Sequence, residues 1–188
     1  MILDLHDFLS EEFVAAWLLI LSALIFVVGG ILYTGRAIWK WPAAQSRSYL
    51  YWERGFVMGA ILVATMGLVL LTQLLEGAGD KIVAPLAMTL FLVGTILVLA
   101  AESFSLKLLD DNYAAIVTSV ILAFLGQAAF GISILLTAYL PGWVGWATVI
   151  WSLAWLIILP IARPKDMYYP WLHYVAPLII GIALLAKG

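Results

Sequence analysis

Residues 112–139 read NYAAIVTSVILAFLGQAAFGISILLTAY, 28 consecutive positions without one Asp, Glu, Lys or Arg. A helix rises about 1.5 Å per residue, so roughly 20 mostly apolar residues cross about 30 Å of hydrocarbon. This run exceeds that minimum and predicts a membrane-spanning helix. Five other windows meet the same criterion, at 12–33, 54–75, 82–104, 144–162 and 167–186. The breaks between them carry loop chemistry, including Trp39-Lys40-Trp41-Pro42, Glu76-Gly77-Ala78-Gly79-Asp80-Lys81 and Pro141-Gly142-Trp143. The sixth window holds Pro170, which suits a helix start, and Pro177, which predicts a kink.

The whole chain agrees with its most apolar stretch. It has 188 residues, 65% hydrophobic and 11% charged, where soluble domains run at about 45–50% and 25%. One soluble core cannot hide such an excess. A soluble enzyme and a disordered tail are excluded, and nine Lys+Arg against eleven Asp+Glu leave no basic footprint for nucleic acid. The absence of cysteine excludes Cys-based metal sites and disulfides. The expectation is an all-α, polytopic integral membrane protein: residues 1–188 forming a single bundle of six transmembrane helices.

Orientation follows from the short loops. With the N-terminus outside, Arg36, Lys40, Arg47, Arg54, Lys107, Arg163 and Lys165 fall inside, and Lys81 and Lys187 outside. That is seven against two, so both termini are expected outside, in a cytoplasmic (plasma) membrane. The acidic arm with Asp4, Asp7, Glu11 and Glu12 has no basic n-region, so the first span reads as a retained helix. The Arg36–Arg54 connection interleaves Trp39, Trp41, Tyr49, Tyr51 and Trp52 with basic residues, which suits an interfacial segment or an aromatic belt. The two halves of the chain show no recurring residue pattern.

Depth along each span then sorts the polar residues. His6 and His173 fall on opposite sides, which rules out an intrachain bis-histidine haem. All five lysines lie in loops or at span ends, which rules out a retinal Schiff base. Ser133 and His173 differ in depth by about 17 Å, from the helical rise, so they cannot form a protease dyad. No metal site is expected. Glu102, about 13 Å inward of the midplane, and His173, about 7 Å inward, share the inner half and are the candidate acid–base pair. Glu102 is read as the one carboxylate drawn into a helix, with Lys107 or an inner-loop arginine as its simplest partner. Arg54, Arg163, Tyr168, Tyr169 and Tyr174 end at the same level and could complete a polar vestibule.

Gln127 lies near the midplane, where an amide commonly anchors a neighbouring helix. Trp151 and Trp155 sit deep enough that each indole N–H needs a partner or a ligand. Gln127, Trp151, Trp155 and Tyr174 are therefore the candidate ligand-binding residues. Thr65, Thr72, Gln73, Thr89, Thr95, Thr118, Ser119 and Ser152 are expected to bond to their own helices. Gly55, Gly59 and Gly67, beside Ala60 and Ala64, predict close approach of another helix.

The functional expectation is a protein that binds or moves a hydrophobic or amphipathic small molecule, or serves as a subunit of a membrane complex or homo-oligomer. The alternative is an intramembrane acid–base enzyme, isomerase- or cyclase-like, working through Glu102 and His173. In a pigment-bearing subunit, His173 would ligate a chlorin magnesium or contact a quinone.

Overall fold

The computed structural model describes residues 10–108, 113–162 and 170–187. Six α-helices follow in chain order: α1 (Glu11–Ala37), α2 (Arg47–Gly77), α3 (Val83–Leu108), α4 (Tyr113–Thr137), α5 (Gly142–Ala162) and α6 (Val175–Lys187). Short 3₁₀ turns at Pro42–Gln45 and Pro170–Tyr174 precede α2 and α6. His6, Asp4, Asp7, Asn112, Arg163, Lys165, Tyr168, Tyr169 and the start of the sixth window lie outside the described residues, as does the side chain of Lys107.

Local chemistry sets the helix ends. Ser10 caps α1 by accepting from the Phe13 N–H, and Ser46 caps α2 by accepting from the Tyr49 N–H. The cap at Ser46 corrects the expected start of the second span. Helix begins two turns before Arg54, so Arg47, Tyr49, Tyr51 and Trp52 are helical and the connection shrinks to residues 38–46. At its other end α2 closes with Gly79 at φ +112°, a conformation costly for any residue with a Cβ.

Asp80 then starts α3. Its Oδ1 accepts from the N–H groups of Ile82 (3.0 Å) and Val83 (2.8 Å), and its Oδ2 from that of Ala84 (3.0 Å). Burial alone would raise its pKa, but the nearby Ser133 hydroxyl and these three donors outweigh it and hold the carboxyl below the usual range.

Consecutive helices are neighbours, and α6 returns to pack on α1, so the six close into a ring. Lys187 at the end of α6 pairs with Glu12 at the start of α1 at 2.8 Å, placing these two helix ends at one end of the bundle. Small residues let backbones meet. A Cβ on Gly126 would lie 2.8 Å from the Ala87 carbonyl oxygen, and one on Gly181 would lie 2.9 Å from that of Ala16. Gly131 and Gly145 bring α4 and α5 together in the same way. Gly67 packs on Leu18 and Leu19, but Gly55 and Gly59 face open space, so the expected glycine stripe on α2 is used only in part.

The outer surface is as apolar as the core. Phe26, Phe91, Phe124 and Phe130 fill the interior, while Leu24, Ile96, Leu136 and Ile157 are each more than half exposed. Five helices, α1 to α5, are long and apolar enough to cross a membrane. The sixth differs. α6 has 13 residues, about 20 Å of helix, and the turn Pro170–Tyr174 precedes it. Pro177 does not kink it as expected, because it is the third helical residue, where a proline's missing N–H breaks no bond.

Candidate functional site

The break before α6 organises the site. A 3₁₀ turn inside an apolar bundle leaves backbone carbonyls without helical partners, and each must be satisfied internally. Two of the sequence candidates do this. The Trp151 indole on α5 donates to the Leu172 carbonyl at 2.9 Å, and the Gln127 amide on α4 donates to the His173 carbonyl at 2.7 Å. Trp155 lies at ring distance 5.6 Å from Trp151 and packs on a small cluster of Val120, Phe124 and Leu159. These residues hold the turn in place. Tyr174 is buried and stacks on Phe26 at 4.2 Å, and Phe26 meets Trp171 edge-on at 5.2 Å.

The turn closes one wall of a pocket between α2, α3 and α4. Its space, including the open mouth, is about 530 Å³. Val57, Ile61, Phe91, Val98 and Val120 make the walls apolar, and Glu102, Ser119, His173 and Tyr174 also line the space while exposing almost no polar atom to it. Glu102 and His173, proposed as a pair from depth alone, line the same space. The His173 ring stacks on Phe124 at 4.3 Å, which fixes its plane. Its Nδ1 is buried and makes no hydrogen bond within the protein.

Glu102 ends a chain of buried charge that crosses three helices. It pairs with Arg54 of α2. Arg54 also lies 3.8 Å from Glu53, which Arg36 of α1 grips through two hydrogen bonds of 2.7 and 2.8 Å. Glu53 and Glu102 are 0% and 1% exposed. The expectation that Glu102 is the one carboxylate in a helix is therefore corrected, because Glu53 is buried as deeply. Glu53 was missed because the second span was begun one residue after it, and Arg36 because the first was ended three residues before it. Ser46 followed by apolar residues at helical spacing was the available signal.

Two arginines and two glutamates leave this chain neutral. Each charge is compensated, which a low-dielectric surrounding demands. The Tyr49 hydroxyl donates to the Leu32 carbonyl at 2.8 Å and ties α1 and α2 together just beside it.

Most of the remaining hydroxyls behave as expected. Thr65, Thr72, Thr89, Thr118 and Ser119 donate to carbonyls of their own helices. Two do not. Thr95 meets Thr65 across α2 and α3 at 3.1 Å, and the buried Ser152 hydroxyl bonds to nothing in the protein. Among the described residues no group of three or more His, Cys, Asp or Glu could hold a metal ion.

No family model, curated protein or solved structure matches the chain. Function is therefore read from the side chains themselves.

Proposed function

We propose that the chain is an integral membrane protein, with both termini outside a cytoplasmic (plasma) membrane, whose pocket binds an uncharged amphipathic small molecule. Membrane insertion is supported by the apolar exterior of α1 to α5 and by the sorting of Lys and Arg between loops. The observation that carries the ligand reading is the make-up of the pocket. Its walls are apolar, and the Glu102 charge there is already neutralised by Arg54. A charged headgroup would shed its hydration and find no free counter-charge. An alcohol or carbonyl carries no charge to strand there, and His173, whose buried Nδ1 is unpartnered within the protein, stands in the wall.

Farnesol, titrated into micellar protein by calorimetry, is expected to bind at least about tenfold more tightly than farnesoic acid, a gap of about 1.4 kcal/mol. Met58→Trp, which fills the pocket from its wall, is expected to abolish farnesol binding. Equal affinity for the two probes, or unchanged binding to the variant, would overturn the proposal.

The acid–base enzyme is the second reading, supported by the shared pocket of Glu102 and His173. Glu102 is already engaged by Arg54, which suits an orienting group rather than a free proton donor. Glu102→Gln with retained folding and retained turnover would remove this reading. The open face at Gly55 and Gly59 is where a partner helix of a complex or homo-oligomer would dock.

A further inference from the structure

Most seams of the ring are drawn tight by glycine. Gly67 lets α2 reach α1, Gly94 and Gly126 bring α3 onto α4, and Gly131 and Gly145 bring α4 onto α5. The α2–α3 seam, which borders the pocket, has no such contact among the described glycines, and Gly55 and Gly59 of α2 face open space.

Two polar ties span that seam instead. Arg54 pairs with Glu102, and Thr65 meets Thr95 at 3.1 Å. Residues 54, 58, 61 and 65 are spaced four, three and four apart, so they share the face of α2 that is turned to α3. From Arg54 to Thr65 the helix rises about 16 Å. Both ends of this stretch are buried, but Met58 and Ile61 between them are only half-buried, and both line the pocket. The pocket residues of α3, including Phe91, Val98 and Glu102, are all buried. The pocket thus reaches the outer surface along the α2 edge of the seam.

Met58 lies across that opening. It lines the pocket, and its sulfur also stands 4.0 Å from the hydroxyl of the exposed Ser103 on α3. The Ser103 hydroxyl already donates to the Leu99 carbonyl at 2.7 Å, so it holds Met58 only weakly. An unbranched thioether with three rotatable bonds can swing aside without leaving a polar group unpaired. With Arg54 near the inner boundary of its span and Thr65 near the middle, the opening faces the hydrocarbon of one leaflet. Lipid chains are as apolar as the side chains at the mouth, so no hydrophobic force drives the gap shut. The pocket exposes almost no polar atom, so the part of a ligand that enters is its apolar chain.

We propose that the pocket is filled sideways from the hydrocarbon core. The apolar chain of an uncharged amphiphile enters through the α2–α3 seam, between the Arg54–Glu102 and Thr65–Thr95 ties, and Met58 is the movable side chain over the entry. The cargo rests on the ligand reading above, whereas the route is tested without it.

The chain has no cysteine, so Met58→Cys with Ser103→Cys places one pair of thiols astride the seam. A short bifunctional methanethiosulfonate locks the pair, and dithiothreitol releases it. Wild type and the double variant are reconstituted in phosphatidylcholine vesicles with an aryl diazirine dissolved in the bilayer, photolysed, and mapped by mass spectrometry. In wild type and the unlocked variant, Val98 and Val120 of the pocket are expected to take at least about tenfold more label than Leu71 and Phe130, because a close-packed core excludes the probe. Locking is expected to bring Val98 and Val120 down to the level of Leu71, and reduction to restore them. Label at Val98 and Val120 no higher than at Leu71 in either unlocked protein would overturn the route, as would label that survives the lock. Label present in the unlocked variant and missing from wild type would overturn Met58 as a movable cover. Farnesol calorimetry on the unlocked variant reports separately on the cargo: lost binding with intact labelling would overturn the cargo and leave the route.

Discussion

The two ends of the bundle handle charge in opposite ways. At one end Glu12, Tyr139 and Lys187 form a latch between α1, the α4–α5 turn and α6. The Tyr139 hydroxyl donates to Glu12, and the Lys187 ammonium sits 3.4 Å from the centre of the Tyr139 ring. Its charged side chains are about a third exposed, at 36% and 34%. Burial and the neighbouring Glu12 carboxylate push the Tyr139 phenol upward, so it stays protonated and remains a donor. At the other end Glu53, Arg54 and Glu102 are buried, and only Arg36 keeps substantial contact with its surroundings, at 30%. An exposed pair adds little because water already solvates both partners. A buried chain holds together because removing any member strands the others.

The sharpest way to break the contrast is to cut each end in turn. Glu53→Gln leaves Arg36 and Arg54 without their shared carboxylate and is expected to cost about 3–5 kcal/mol, read from unfolding in detergent micelles. A loss below about 1 kcal/mol would mean that the buried chain is no stronger than the surface latch. Trp151→Phe keeps an aromatic ring but removes the donor to the Leu172 carbonyl. It is expected to cost about 1–3 kcal/mol in the same assay, the penalty of one buried, unsatisfied carbonyl.

Asp80→Ala removes three backbone bonds at the start of α3 and is expected to cost about 1 kcal/mol at neutral pH. Because the folded carboxyl titrates below its unfolded value, that contribution is full above about pH 4 and disappears as pH falls through the folded value. Wild type and variant should therefore converge in melting temperature on acidification. A gap that stays constant below pH 4 would mean that the charge of Asp80 plays no part. Lys187→Ala should be the mildest change, below about 1 kcal/mol and reduced by added salt. A salt-independent loss would show that the latch is more buried than its exposure indicates.

The unequal ends also explain what the sequence disclosed. Five helices were legible because hydropathy over 20 residues is a strong signal and lipid leaves a chain few options. Glu102, His173 and Tyr174 could be brought to one level by counting residues, and they do line one pocket. Counting could not supply the azimuth of a side chain around its helix, so Arg54 as the partner of Glu102 was one possibility among several. Glu53 was lost for a different reason. A charge next to an apolar window looks like the end of a helix, and only a partner on another helix reveals that it lies inside. The break before α6 was hidden as well, because Pro170–Tyr174 is as apolar as a helix would be. Its demands appear only as the odd positions of Gln127 and Trp151, two polar donors in apolar runs that prove to be reserved for its carbonyls.

One aromatic row has a practical use. Trp171 lies against Gly30, where any Cβ would strike its ring, and it joins through Phe26 to Tyr174 at the pocket wall. Rings locked at fixed angles in an asymmetric surrounding give near-ultraviolet circular dichroism. The protein thus carries its own optical gauge of the pocket wall, against which colourless additives can be tested without labels. Gly30→Ala, which unseats Trp171, supplies the blank for that gauge.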